Sequence, residues 1–299
     1  MLNLLISILL ILCVVFLLLF LKTKYLYFSN LDTSQIEIEN FKISVAENIN
    51  LNAYLILPKY AVPKNNEKND YQKIPLIILN HGWGMNATMM LYWAIGLSLG
   101  GPYACFLYEV RGHGKSQGKK KLSEELMNDV HKVIDYVFEL KNPFIDFSNV
   151  GFFGFSYGAN CALTKAYLDT RINAIVAVAG PHDTKYNFIR KPENWRARIG
   201  LFIIKITGIP AKKISDEENE RISPKYILDP TNNERNKNIL LIHGVKDNVI
   251  HVSECEKNRD LLQLGDRNVA IIRGAHHSVN SQEWIVLSRS LQFFHEKLK

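Results

Sequence analysis

Apolar and polar positions alternate along this chain in a rhythm of short buried runs and longer helical stretches. Phe41–Val45 and Leu51–Leu57 read as two strands of a hairpin turning around Asn48-Ile49-Asn50. Ile74–Leu79 is a short apolar run typical of a strand buried on both faces, and Ala104–Val110, Val150–Phe155, Ile172–Ala179, Ile239–Ile242 and Val269–Ile272 read as further strands. Between them lie helical patterns. Met89–Leu99 ends at Gly100-Gly101, and Leu126, Val130, Val133, Ile134 and Val137 recur at helical spacing behind a Ser123 N-cap. Further helices are expected at Tyr157–Leu168, Ser253–Leu264 and Trp284–Leu298, the last presenting Trp284, Leu287, Leu291, Phe294 and Leu298 on one face. Strands alternating with helices imply crossover connections, hence an α/β fold with a mostly parallel central sheet flanked by helices.

Two stretches break the rhythm. Leu2–Leu21 is nearly uninterrupted Leu, Ile, Val and Phe, and twenty helical residues at about 1.5 Å each span about 30 Å, a bilayer's hydrocarbon core. No basic residue precedes it and no small-residue exit follows, so an uncleaved transmembrane anchor is expected rather than a signal peptide. Lys22 and Lys24 come next, then Tyr25, Tyr27 and Phe28; by the positive-inside rule they place the following domain in the cytoplasm. The second break, residues 182–236, is rich in Lys, Arg, Pro and Asn and reads as a small helical cap inserted over the strand ends. The expected organisation is an anchor at 1–24, a spacer at 25–40 and a catalytic domain at 41–299.

Composition narrows the classes. Hydrophobic residues at 47% and charged residues at 22% exclude disordered and collagen-like chains. The net charge of +7 comes from scattered lysines without an aromatic-basic stripe, which argues for a solvated face near a membrane and against nucleic acid. Of four cysteines, Cys13 sits in the apolar run, and Cys105, Cys161 and Cys255 lack CxxC spacing. Neither a zinc site nor a disulfide framework fits, and no cofactor or metal is expected.

The chemistry gathers at Gly154-Phe155-Ser156-Tyr157-Gly158. A serine on a tight turn from strand to helix is pushed out at the top of a sheet, and flanking glycines relieve the crowding. A hydroxyl needs a base, and the base needs an acid to orient it. His131 lies inside a helix and His295 near the end of the chain. His243 follows a strand and reads as structural. His276 and His277 follow the strand that ends near Arg273-Gly274, and Asp247 follows Ile239–Ile242. The order Ser156, Asp247, His277 makes these the expected nucleophile, acid and base.

At these residues the chain resembles the α/β-hydrolase superfamily, from about Phe41 onward. His81-Gly82-Trp83-Gly84 is similar to its HG motif, Arg111-Gly112-His113-Gly114-Lys115-Ser116 to its R-G-H-G-x-S motif, and Leu241-Ile242-His243-Gly244 with Asp247 to the stretch before its acid. Gly274-Ala275-His276-His277 matches G-x-x-H and selects His277 over His276. The resemblance implies an α/β-hydrolase fold and an oxyanion hole from the backbone N–H of Tyr157 and of Trp83, with Gly84 the alternative second donor. Glu109 departs from the aspartate more usual there and puts local loop packing in question. Arg111 and His113 are expected to brace their loop rather than touch substrate.

Tyrosine after the nucleophile, together with the preceding hairpin, is similar to the prolyl-oligopeptidase and dienelactone-hydrolase branches. Ester hydrolysis through an acyl-enzyme is the leading expectation, on small-molecule or lipid-like acyl substrates. A serine peptidase comes second, because 299 residues leave no room for the large N-terminal propeller usual in that branch. A silent binding protein is a third reading, disfavoured by the intact set of three residues.

Overall fold

The computed structural model describes residues 31–62, 72–189 and 214–298, with 195 and 198. The apolar run expected as an anchor, and most of 190–213 within the expected cap, lie outside the described residues. Among the described residues no helix is long and apolar enough to cross a membrane.

Eight strands form one sheet in the order β1-β2-β4-β3-β5-β6-β7-β8. They are β1 (Ile36–Ala46), β2 (Ile49–Pro58), β3 (Ile74–Asn80), β4 (Ala104–Tyr108), β5 (Ile145–Phe155), β6 (Ala174–Val178), β7 (Ile239–Gly244) and β8 (Val269–Ile272). β1 and β2 run antiparallel, as do β2 and β4; every other pairing is parallel. β1 begins inside the stretch read as a spacer, because Ile36 is buried and pairs with Pro58. The hairpin turns one step earlier than the sequence suggested. Ala46 faces Ile49, and Asn48 takes the left-handed conformation (φ 58°) that asparagine tolerates.

Strands β3, β4 and β6 are buried throughout and apolar except for Asn80, which ends β3. Helices cover both faces, and alternate strand residues divide between them. On one face, α1 (Ala87–Gly100) sets Trp93 against Phe153, and α9 (Glu283–Lys297) sets Phe294 against Gly151. On the other, Ile78, Phe106 and Phe152 pack with α2 (Glu124–Glu139), α3 (Tyr157–Cys161) and α8 (Val252–Leu262). Ser123 caps α2 by accepting from Leu126 N at 3.3 Å. α3 runs on into a π-helical turn, Ala162–Ala166, where Thr164 Oγ1 donates back to Asn160 O at 2.7 Å. Short helices α4 (Thr184–Ile189), α5 (Asp216–Ile222), α6 (Pro224–Ile227) and α7 (Asn233–Asn236) occupy the described part of the 182–236 insertion.

One expected contact fails. Trp284 is 64% exposed, while Val286, Ser290, Phe293 and Phe294 form the buried side of α9. Leu287 and Leu291 do face inward, because Gly96 and Gly100 of α1 leave them room.

Candidate active site

Parallel strands deliver their following loops to one edge of the sheet, and there the sequence-selected residues meet. Ser156 follows β5 directly in a strained conformation (φ 55°, ψ −110°). The flanking glycines are required by contact. A Cβ on Gly154 would lie 2.1 Å from Gly158 O, and one on Gly158 would lie 2.0 Å from Asn80 O. Ser156 N donates to Val178 O at 2.8 Å, which ties the turn to β6.

Asp247 and His277 arrive from the neighbouring loops after β7 and β8. Ser156 Oγ lies 2.9 Å from His277 Nε2, and His277 Nδ1 lies 2.7 Å from Asp247 Oδ2. The tautomer with hydrogen on Nδ1 satisfies both contacts and leaves Nε2 free to accept from the serine. Asp247 is almost fully buried, and its Oδ1 accepts from Val249 N and Ile250 N at 2.8 Å each. Burial opposes its ionisation, but His277 and His243 beside it prevail and hold the carboxyl well below the usual carboxylate range. His276 makes no contact of this kind. The His277 ring lies tilted against Phe155, ring centroids 5.5 Å apart, and the loop beyond it carries two strained residues, Val279 (φ 48°) and Ser281 (φ 66°).

The loop after β3 supplies the opposite wall. Gly82 to Met85 form a turn closed by Met85 N on Gly82 O, with Gly84 at φ 79° where a type II turn needs glycine. Gly82 sits against the elbow, since a Cβ there would lie 3.2 Å from Ser156 Cβ. Trp83 packs edge-on against Tyr157 and His113, with centroids 5.7 and 5.0 Å away. Tyr157 opens α3, so its N–H belongs to the first turn, whose donors have no acceptor within the helix. His81 is fully buried; its Nε2 accepts from Val110 N at 3.0 Å, and burial pushes its pKa down to about 3, so it stays neutral.

Arg111 is held by carboxylates of α2. It forms a two-pronged pair with Asp129 of α2 at 2.8 and 2.6 Å and also pairs with Glu125. Glu109 has a structural part that the sequence did not disclose. Its carboxylate accepts from Lys115 N at 2.6 Å and Ala87 N at 3.3 Å, at the N-terminus of α1, and fills space that only a glycine at 114 leaves open. The longer glutamate therefore tightens this loop. The other residue that sequence reading undervalued is His243, which is buried with its Nε2 3.2 Å from Asp247 Oδ2. Among the described residues no cluster of three His, Cys, Asp or Glu side chains is placed to hold a metal ion.

A nucleophile on a strand-to-helix turn, a base and a buried acid on an α/β sheet define a serine hydrolase of the α/β-hydrolase fold. Residues 97–299, about two-thirds of the chain, match the prolyl oligopeptidase family, and the chain belongs to that family. It is similar to the polyketide transferase GrgF of Penicillium sp., 27% identical over 117 residues that make up 39% of this chain and 40% of that one. The aligned part thus spans about two-fifths of that relative. Among solved structures it resembles Est1E of Butyrivibrio proteoclasticus with ferulic acid bound (TM-score 0.60, 19% identity, 86% of this chain and 98% of that one). It also resembles the acylaminoacyl peptidase of Pyrococcus horikoshii (TM-score 0.60, 20% identity, 92% of this chain and 43% of that one). The crystal structure of GrgF itself matches with a TM-score of 0.60 at 17% identity, over 88% of this chain and 99% of that one. These likenesses are of fold.

Proposed function

We propose that this hydrolase cleaves carboxylic esters through an acyl-enzyme on Ser156. The observation that carries the reading is the continuous run from Ser156 Oγ to His277 Nε2 at 2.9 Å and from His277 Nδ1 to Asp247 Oδ2 at 2.7 Å. Ser156 Oγ bonds to the ester carbonyl carbon as its proton passes to His277 Nε2. The resulting oxyanion is held by the backbone N–H of Tyr157 and of Trp83, and loss of one such donor costs about a hundredfold or more. Collapse breaks the bond to the alkoxide, which takes the proton from His277. Water then adds to the acyl carbon, gives a proton to His277, and the released Oγ recovers it as the acid leaves.

An ester is favoured because an alkoxide departs with less protonation than an amine, and among the described residues His277 is the one side chain hydrogen-bonded to Ser156 Oγ. Est1E and the Pyrococcus furiosus esterase, each matched over nearly all of its length, support the same reading. A peptidase is the second reading, favoured by membership of the prolyl oligopeptidase family. The apolar run Leu2–Leu21 supports a single-pass anchor, a cytoplasmic catalytic domain and amphiphilic or membrane-borne acyl substrates.

The deciding experiment labels the protein with a fluorophosphonate, then compares turnover of an ester series with that of aminoacyl amides. Labelling lost in Ser156→Ala, with esters cleaved faster than amides, is the expected outcome. Labelling that persists in Ser156→Ala would overturn the assignment of the nucleophile, and faster amide cleavage would move the substrate to the second reading. Turnover of bilayer-embedded esters that is unchanged on removing residues 1–24 would leave tethering without a catalytic part.

A further inference from the structure

The carboxylate of Asp247 has more donors than a two-partner relay requires. Oδ1 is occupied by the N–H groups of Val249 and Ile250. Oδ2, the oxygen that faces His277 at 2.7 Å, is also approached by His243 Nε2 at 3.2 Å. His243 is 1% exposed, and the same Nε2 lies 2.8 Å from Ile250 O. Ile250 O accepts from that nitrogen, so it carries a hydrogen whichever way the other ring nitrogen stands, and this N–H lies beside Oδ2. Two imidazoles therefore stand beside one carboxylate oxygen, one belonging to the base and one, its N–H bonded to Ile250 O, with no reacting partner.

We infer that His243 is a positioning residue that sets how strongly Asp247 draws a proton onto His277. A carboxylate oxygen that already faces the positive edge of a second imidazole has less negative charge left to stabilise an imidazolium. Removing His243 is therefore expected to let Asp247 draw the proton onto His277 more strongly. The groups bearing on His243 are Asp247 on its own loop, Cys255 from α8, and His277 across the shared oxygen. Burial favours its neutral form, yet Asp247 and Cys255 together raise its pKa to about 10, which strengthens the donor. This inference rests on the triad reading above and deepens it.

The test is the rate of fluorophosphonate labelling of the full chain against pH, with circular dichroism melts as the check on folding. In His243→Leu, similar in size but without the donor, the acidic limb moves up by about one pH unit, so labelling on that limb falls about tenfold relative to the variant's own plateau. His243→Gln, whose amide reaches the same place, brings the limb part of the way back. Should His243→Leu not fold, His243→Asn, whose amide stops short of Oδ2, carries the same reading. A limb that stays in place in whichever of these two folds, even with a lowered plateau, overturns the inference and leaves His243 a packing residue. A wild-type protein that never labels overturns the triad reading, and this inference with it.

Discussion

The nucleophile and its two partners are built on different principles. The Ser156 turn is fixed by its own backbone: Gly154 and Gly158 let Gly158 O and Asn80 O come within about 2 Å of where Cβ atoms would stand. Asp247 and His277 are instead fixed to each other. Val245 N donates to Ile272 O at 3.0 Å and Lys246 N to Ala275 O at 2.9 Å, while Gly244 packs onto Ala275 O, so the two loops form one unit. The units share a sheet, but among the reacting groups they meet only where Oγ faces Nε2. The triad is thus two preassembled pieces docked across β6, and small errors between the pieces matter more than errors within either.

That contrast can be broken from either side. The largest effect is expected from Ser156→Ala, which leaves both pieces intact and lowers ester turnover by about 10⁴-fold or more without shifting the melting temperature by more than a few degrees. Asp247→Asn comes next. It keeps the shape of the acid–base piece but turns the imidazole to the wrong tautomer, and kcat is expected to fall about 10⁴-fold or somewhat less while substrate still binds. Steady-state kinetics with a chromogenic ester checks both.

Two glycine substitutions sharpen the comparison at lower amplitude. Gly244→Ala pushes on Ala275 O, 2.4 Å from the new Cβ, and shifts the acid–base piece relative to the serine; about a hundredfold loss of kcat with modest destabilisation is expected. Gly158→Ala drives a Cβ into Asn80 O within the turn itself and should cost about 3 kcal/mol of stability in a denaturant titration, with labelling lost as the fold is lost. Equal damage to activity and stability in both variants would remove the distinction between the pieces.

The smallest effect is on acid stability. Asp247 is held below the usual carboxylate range in the folded chain, so its ionised form stabilises the fold above about pH 4, and that contribution disappears as pH falls through the folded value. The gap in melting temperature between wild type and Asp247→Asn should therefore narrow below about pH 4. A gap that is constant from pH 7 to pH 3 would count against a buried carboxylate stabilised by its imidazole neighbours.

What the sequence makes legible follows from which interactions are local. Apolar runs such as Ile74–Asn80 and Ala174–Val178 announce buried parallel strands, and Ser123 announces its helix, because one segment carries the whole signal. Ser156, Asp247 and His277 stand out because each follows a strand, and those three strands run parallel and discharge at one edge. Strand order was not readable: β4 lies between β2 and β3 through pairings such as Leu55 with Phe106, which no segment encodes alone. Trp284 was misplaced because helical periodicity cannot tell which face meets glycines on a neighbouring helix. His243 and Glu109 were undervalued for a similar reason, since their partners lie on other loops or close only in the folded turn.

The strand order has a consequence for the birth of the molecule. β7 and β8, which bring the acid and the base, follow the Ser156 strand in the chain, so the nucleophile is made before the groups that activate it. Until Ile239 pairs beside Ile175, β6 is an open edge whose sequence Ala-Ile-Val-Ala-Val has neither charge nor proline to deter a second strand. The same late segments that switch on the chemistry also close the sticky edge. Catalytic competence and protection from aggregation therefore arrive together.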